Sequence, residues 1–400
     1  MALFSPERHY PLSQTQWNPN VARQAIADIT MQTIEQLNAA SYLPAHPMDD
    51  TTFGSDLYFG EAGVLWAIDY LQSVGAVETT FDITEHLSTA LAKNRQTYAK
   101  VSSYPEQSSY LVGELPLLLM QYKLCPSKEN AGQVLHSVQK NNNQPIRELM
   151  WGMAGSMLAA YFMHQWSQEP QWKDIFRQQA QKLQEEWHPV EDAGFLWTVD
   201  LYGRQRKWLG PVHGFASNVT PLLVGRSLLP DEEFQTVADK TMTTLVQTAT
   251  VEDGKANWPA VYKEERPRQE LQLVQYCHGA PGMVIALAAL PKDVNTQFDT
   301  VLEQGGELTW QAGPLKKGSN LCHGTAGNGY TFLKLFVRTG EQVWLERARA
   351  FAMHAIEQYQ LSQQLYSQLR YPLWTGDLGV AVYLWDCLQE QAQFPTVDVF

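Results

Sequence analysis

One pattern recurs along the chain and limits what it can fold into: Gly-x-x-Gly followed by an apolar run. Clear copies are Gly60/Gly63, Gly152/Gly155, Gly279/Gly282, Gly324/Gly327 and Gly376/Gly379. Two degenerate copies keep the spacing, Gly113 with Pro116 and Gly214 with Ser217. The seven copies are separated by 53, 39, 62, 65, 45 and 52 residues. Repeats at such periods mark stacked supersecondary units. One Gly-x-x-Gly alone is ordinary helix packing; seven with matched apolar runs describe a repeated building block.

The runs behind the glycines, such as Val64–Ile68, Met157–Tyr161 and Val380–Leu384, are apolar nearly all round, as buried helices are. Between them lie more polar, amphipathic stretches: Val21–Ala40, Glu85–Lys100, Trp172–Trp187, Asp231–Thr248 and Gln342–Gln360. Buried helix alternating with amphipathic helix predicts an all-α closed ring, with an inner barrel and an outer wrap. One unit cannot bury its own face, so the 400 residues are expected to fold as a single domain, 1–400. The glycines then sit at inner-helix N-termini, where they permit tight turns and close backbone approach. Residues just before each first glycine converge on one rim, facing the ring axis.

That rim carries the unusual chemistry. Cys277-His278-Gly279 and Cys322-His323-Gly324 repeat 45 residues apart. Thiolate and imidazole are donors that zinc prefers. Cys277, Cys322 and His323 make a three-ligand set, with His278 a candidate fourth. Three ligands leave an open, catalytic position, and four make a structural site. Such a site suits a substrate thiol, which coordination deprotonates. His213, before Gly214, is the candidate proton donor or acceptor. Glu148 either orients His213 or caps the helix behind Gly152. Lys317, five residues before Cys322, is placed to hold a substrate carboxylate.

Composition excludes other classes. With 29 basic and 42 acidic residues the net charge is −13, against a nucleic-acid partner or an anionic membrane surface. No run reaches the ~20 apolar residues of a membrane span. The first residues lack the apolar core of an export signal. Four cysteines in 400 residues form no disulfide framework. A reducing, cytoplasmic location is the expectation.

On these motifs the chain resembles the LanC-like (lanthionine synthetase C-like) proteins. The residues that carry the resemblance are Cys277–Gly282, Lys316-Lys317-Gly318 and Leu321–Asn328. The resemblance implies an α/α toroid of seven inner and seven outer helices. It implies zinc on Cys277, Cys322 and His323, with His278 not a ligand, and His213 as the active-site histidine. Glu148 falls where the family's peptide cyclases carry an aspartate. Cyclases of the family often carry arginine four residues before the first cysteine; this chain has Leu273. The Cys-His-Gly-Ala-Pro-Gly and Lys-Lys-Gly segments look like those of eukaryotic-type members, which bind glutathione. Lys317 matches a glutathione-contacting lysine there, and Arg8 corresponds to an N-terminal arginine that contacts glutathione.

The expectation is therefore a zinc enzyme that adds glutathione to dehydroalanine or dehydrobutyrine residues of a protein or peptide. The rival readings are a lanthipeptide cyclase and a glutathione-binding protein without turnover. A glycosidase on a helical toroid needs two carboxylates across the cavity, and the rim offers one, Glu148.

Overall fold

The computed structural model describes residues 3–40, 43–49, 53–99, 106–201, 203–263 and 273–400. Fourteen α-helices lie among them: α1 (Pro19–Ala39), α2 (Glu61–Ser73), α3 (Thr84–Tyr98), α4 (Leu115–Leu124), α5 (Lys128–Asn142), α6 (Met153–Ser167), α7 (Pro170–Glu185), α8 (Phe215–Val224), α9 (Asp231–Thr248), α10 (Ala280–Leu287), α11 (Thr296–Ala312), α12 (Thr325–Thr339), α13 (Gln342–Tyr366) and α14 (Leu378–Gln389). Every even-numbered helix opens one or two residues behind a first repeat glycine. Each packs on the next, and α14 packs back on α2, so the inner ring closes. The odd-numbered helices form the outer layer. For example, α3 packs on α2 and α4, α5 on α4 and α6, and α13 on α12 and α14.

Burial follows the sequence pattern. In α2, Glu61 through Ile68 are buried without a break, because that helix has neighbours on every side. In α7 the buried residues are Trp172, Phe176, Gln179, Ala180 and Leu183, a stripe at helical spacing. Three outer helices, α1, α5 and α11, start on side-chain caps: Asn18, Ser127 and Asn295 each accept backbone N–H bonds at the first turn. Of the expected amphipathic stretches, Asp231–Thr248 coincides with α9. The α13 helix runs on to Tyr366. The stretch expected to reach Lys100 ends at Tyr98, and Lys100 itself lies outside the described residues.

Inner helices start differently. In the five repeats that keep both glycines the loop doubles back onto them, leaving no room for a side chain. A Cβ on Gly327 would lie 1.7 Å from the Leu321 carbonyl oxygen. Gly279 adds a φ of +105°, which L side chains rarely adopt. Ser217, in a glycine position, closes the turn through its hydroxyl. It accepts from Gly214 N–H at 2.9 Å and donates to the Gly214 carbonyl at 2.7 Å.

Among the described residues the structure adds three small antiparallel hairpins to the all-α plan: β1 (His188–Val190) with β2 (Gly194–Leu196), β3 (Val199–Leu201) with β4 (Arg204–Arg206), and β5 (Thr250–Glu252) with β6 (Lys255–Asn257). They occupy the two longest repeat spacings, 62 and 65 residues. Asp253 and Gly254, both at positive φ, make the tight turn between β5 and β6.

The rim loops are joined to one another by backbone bonds in repeat register. Tyr58, Leu111, Met150, Val212, Cys277, Cys322 and Trp374 each stand two residues before a first glycine. Tyr58 N–H donates to Leu111 O, Leu111 N–H to Met150 O, Cys277 N–H to Cys322 O and Cys322 N–H to Trp374 O, at 2.9 to 3.2 Å. This register presents equivalent residues from distant repeats to one site. Among the described residues no helix is long and apolar enough to cross a membrane.

Candidate active site

Cys277 and Cys322 lie just before α10 and α12, neighbours in the inner ring. Their side chains interact, each shifting the other's pKa. The Cys322 hydrogen bond lowers the Cys277 pKa, assisted by Gln275, His213 and Lys317 and opposed by burial. Burial drives Cys322 the other way, well above the ordinary thiol range. Of the pair, Cys277 is the more acidic thiol and Cys322 the less. Two further donors reach the sulfurs: Tyr58 Oη donates to Cys322 Sγ at 2.6 Å, and Gln275 Nε2 to Cys277 Sγ at 2.9 Å.

His323 follows Cys322, half-buried. Burial, then Lys317, Arg370 and Arg8, push its pKa down to about 3, so the imidazole stays neutral, the form that ligates metal. Two thiols and a neutral imidazole fit a zinc donor set. Among the described residues no group of three or more His, Cys, Asp or Glu is drawn close enough to hold a metal ion. The structure therefore gathers the two sulfurs but not the third donor of the expected set. His278 is half-buried beside Trp208, and burial, reinforced by His213, pushes its pKa down to about 4. Its Nδ1 is buried and makes no hydrogen bond.

His213 and Glu148, 65 residues apart in sequence, are brought together from adjacent repeats, with Nδ1 and Oε2 separated by 2.7 Å. Glu148 is fully buried and also accepts the backbone N–H groups of Met150 (3.0 Å) and Trp151. Glu148 thus pairs with His213 and closes the turn before α6, but it does not cap that helix, whose N-cap is Gly152 with no side-chain bond. The Trp208 ring lies near both His213 and His278, at centroid distances of 6.5 and 6.0 Å. His213 also acts electrostatically on Cys277, so the candidate proton carrier and the thiol pair share one site.

The cationic residues converge as well. Arg8 arrives on an N-terminal strap pinned to the rim: Lys316 N–H donates to Arg8 O, and Tyr10 N–H to Pro314 O. Arg8 Nη2 donates to Gln275 Oε1 at 3.3 Å, which connects it to Cys277 through one side chain. Lys317 is exposed and lowers the pKa of both cysteines. It lines a cavity of about 450 Å³ with Tyr10, Lys316, Asn320 and Arg370, a size that suits a small ligand.

Tyr58 and Gln275 are absent from the sequence expectation. A signal for Tyr58 existed: it holds the same repeat position as the two cysteines. Gln275 carries no such signal, because only folding places its amide on the sulfur.

A family model described as lanthionine synthetase C-like protein matches residues 16–399. Glutathione S-transferase LANCL1 of Danio rerio is 38% identical over 130 residues, 32% of this chain and 32% of its own. LanC-like protein GCL1 of Arabidopsis thaliana is 36% identical over 155 residues, 36% of this chain and 34% of its own. The matched stretches span about a third of these curated relatives. Among solved structures, nisin cyclase superposes with a TM-score of 0.56 at 15% identity, covering 93% of this chain and 100% of that one. At that identity the likeness is one of fold, the same closed helical ring.

Proposed function

The chain belongs to the lanthionine synthetase C-like family, and on that premise we propose that it adds the thiol of glutathione to dehydroalanine or dehydrobutyrine residues in a protein or peptide. The observation that carries this reading is the meeting of the cysteine pair with the His213–Glu148 pair on one rim. Cys277, Cys322 and His323 would hold zinc. The metal, when bound, supplies the positive charge that keeps a substrate thiol deprotonated at neutral pH.

The remaining chemistry belongs to the side chains. The thiolate sulfur forms a bond to the β-carbon, and the alkene electron pair moves to the α-carbon as an enolate. Glu148 engages His213 Nδ1, so Nε2 delivers the proton that completes the α-carbon. The same imidazole takes up the thiol proton at the start, so the cycle balances. Lys317 and Arg8 hold the two carboxylates of glutathione, with the cavity beside Lys317 receiving the tripeptide.

The test is mass spectrometry on a dehydroalanine peptide with the purified protein, with and without glutathione. A glutathione adduct formed well above the uncatalysed rate, and lost in His213→Ala, supports the reading. No acceleration with zinc bound would overturn it, and a thioether ring within a cysteine-containing peptide would move the activity to cyclisation.

A further inference from the structure

The segment behind α14 runs back beneath the thiol site, and the proposed chemistry leaves it without a role. Phe394 stacks on Tyr276, the residue before Cys277, at a centroid distance of 4.4 Å and 11° between planes. Thr396 is fully buried at φ +62°. A β-branched residue is costly to hold there, so the surroundings must fix it. Two bonds do so: Tyr110 Oη donates to its carbonyl at 2.6 Å, and Trp374 Nε1 to its Oγ1 at 3.2 Å.

Trp374 is the hub of this region. It is fully buried, and its carbonyl accepts the Cys322 N–H at 2.9 Å. Its ring stacks on Tyr58 at 5.7 Å and 29°. Tyr58 in turn covers the Cys322 sulfur with its hydroxyl at 2.6 Å, and Cys322 is 1% exposed. The chain Thr396–Trp374–Tyr58–Cys322 is continuous, each link a hydrogen bond or a ring contact.

We infer that Thr396 is a positioning residue: through Trp374 it fixes Tyr58 over the Cys322 sulfur, and Tyr58 in turn orients that thiol. The inference rests on the proposed reading of Cys322 as one of the zinc-holding residues. Hydrogen-bond partners of metal ligands set affinity by holding each ligand in place, and losing one costs roughly 10- to 100-fold. The strained Thr396 backbone is then the feature that aims the Trp374 ring.

Two readouts separate this from the function itself. The first needs no metal: iodoacetamide labelling of Cys322 in metal-free protein, followed by peptide mass spectrometry, with exposed Cys125 as internal reference. Thr396→Ala and Trp374→Phe should label Cys322 several-fold faster, and Thr396→Ser should keep the wild-type rate. The second is zinc affinity by competition with a chromophoric chelator. Tyr58→Phe and Thr396→Ala should each weaken it by about 10- to 100-fold, and the double variant should be no worse than Tyr58→Phe alone. Wild-type labelling and zinc affinity in folded Thr396→Ala and Trp374→Phe, with only a lower Tm, would overturn the inference. Faster Cys322 labelling in a protein that binds no zinc would support it while removing the metal from the proposed function.

Discussion

His213 Nδ1 and Glu148 Oε2 sit 2.7 Å apart, and the same carboxylate receives the Met150 and Trp151 N–H groups. Glu148 therefore has two separable duties. Replacing it with alanine leaves two backbone donors unmet in a buried place, about 1–3 kcal/mol each. Glu148→Gln keeps the shape and one acceptor but loses the negative partner of His213. Glu148→Gln should fold and bind glutathione with a reduced kcat, and Glu148→Ala should also melt earlier. His213→Asn should lower kcat by roughly 10²–10⁴-fold. The double variant His213→Asn/Glu148→Gln should be no slower than His213→Asn alone, since the pair acts as one device. Additive losses in steady-state kinetics would show that Glu148 acts independently.

The thiol pair sets the metal prediction. Cys277→Ala and Cys322→Ala should each lose zinc on gel filtration, measured by elemental analysis, with circular dichroism unchanged. His323→Ala should retain zinc more weakly, because one of three donors is gone. Cys125→Ala, which alters an exposed thiol at the end of α4, should retain it fully. Full zinc in both rim cysteine variants would remove the metal site from this rim.

Much of the fold was legible because one physical constraint repeats seven times. A loop that folds back onto its own glycine leaves a mark in the sequence wherever it occurs, so Gly60 through Gly376 located every inner helix. The same register put Cys277, Cys322, His213 and Glu148 on one rim before any coordinates. What stayed hidden lacks a period. The β hairpins fall in the two longest spacings, where only a local Asp253-Gly254 turn signal was present. Gln275 reaches Cys277 by tertiary folding. Thr396 lies outside the repeats, and nothing in its neighbours predicts that it would sit under the site.

The glycine argument can be tested against itself. A Cβ on Gly327 meets Leu321 O at 1.7 Å, backbone that cannot move without shifting the Cys322 loop. Gly327→Ala should cost more than ~4 kcal/mol or prevent folding. Gly132, within α5, has nothing within 4 Å of the same position. Gly132→Ala should stabilise by up to ~1 kcal/mol through helix propensity. Denaturant melts of the two variants read this directly, and a tolerated Gly327→Ala would show that the loop is not closed on its glycine.

Buried carboxylates give the fold a pH dependence of unusual sign. Asp386, within α14, is fully buried, and that burial raises its pKa from 3.8 to about 7 despite hydrogen bonds from Gln391 and Gln393. Asp56 and Asp377 are raised to about 6, also by burial. Below pH ~4 each is protonated whether folded or unfolded. Between pH ~4 and the raised value the folded chain keeps a proton that the unfolded chain gives up. Stability therefore falls as pH rises through that window and is flat above it. For Asp386 the window ends near pH 7, and its full span corresponds to something on the order of 4 kcal/mol. Chemical denaturation should show lower stability at pH 8 than at pH 6. Asp386→Asn cannot ionise, so it should flatten the slope across that range. An equal slope in the variant would mean that Asp386 is ionised in the folded protein near neutral pH, and that water or Lys334, an electrostatic neighbour, compensates its charge.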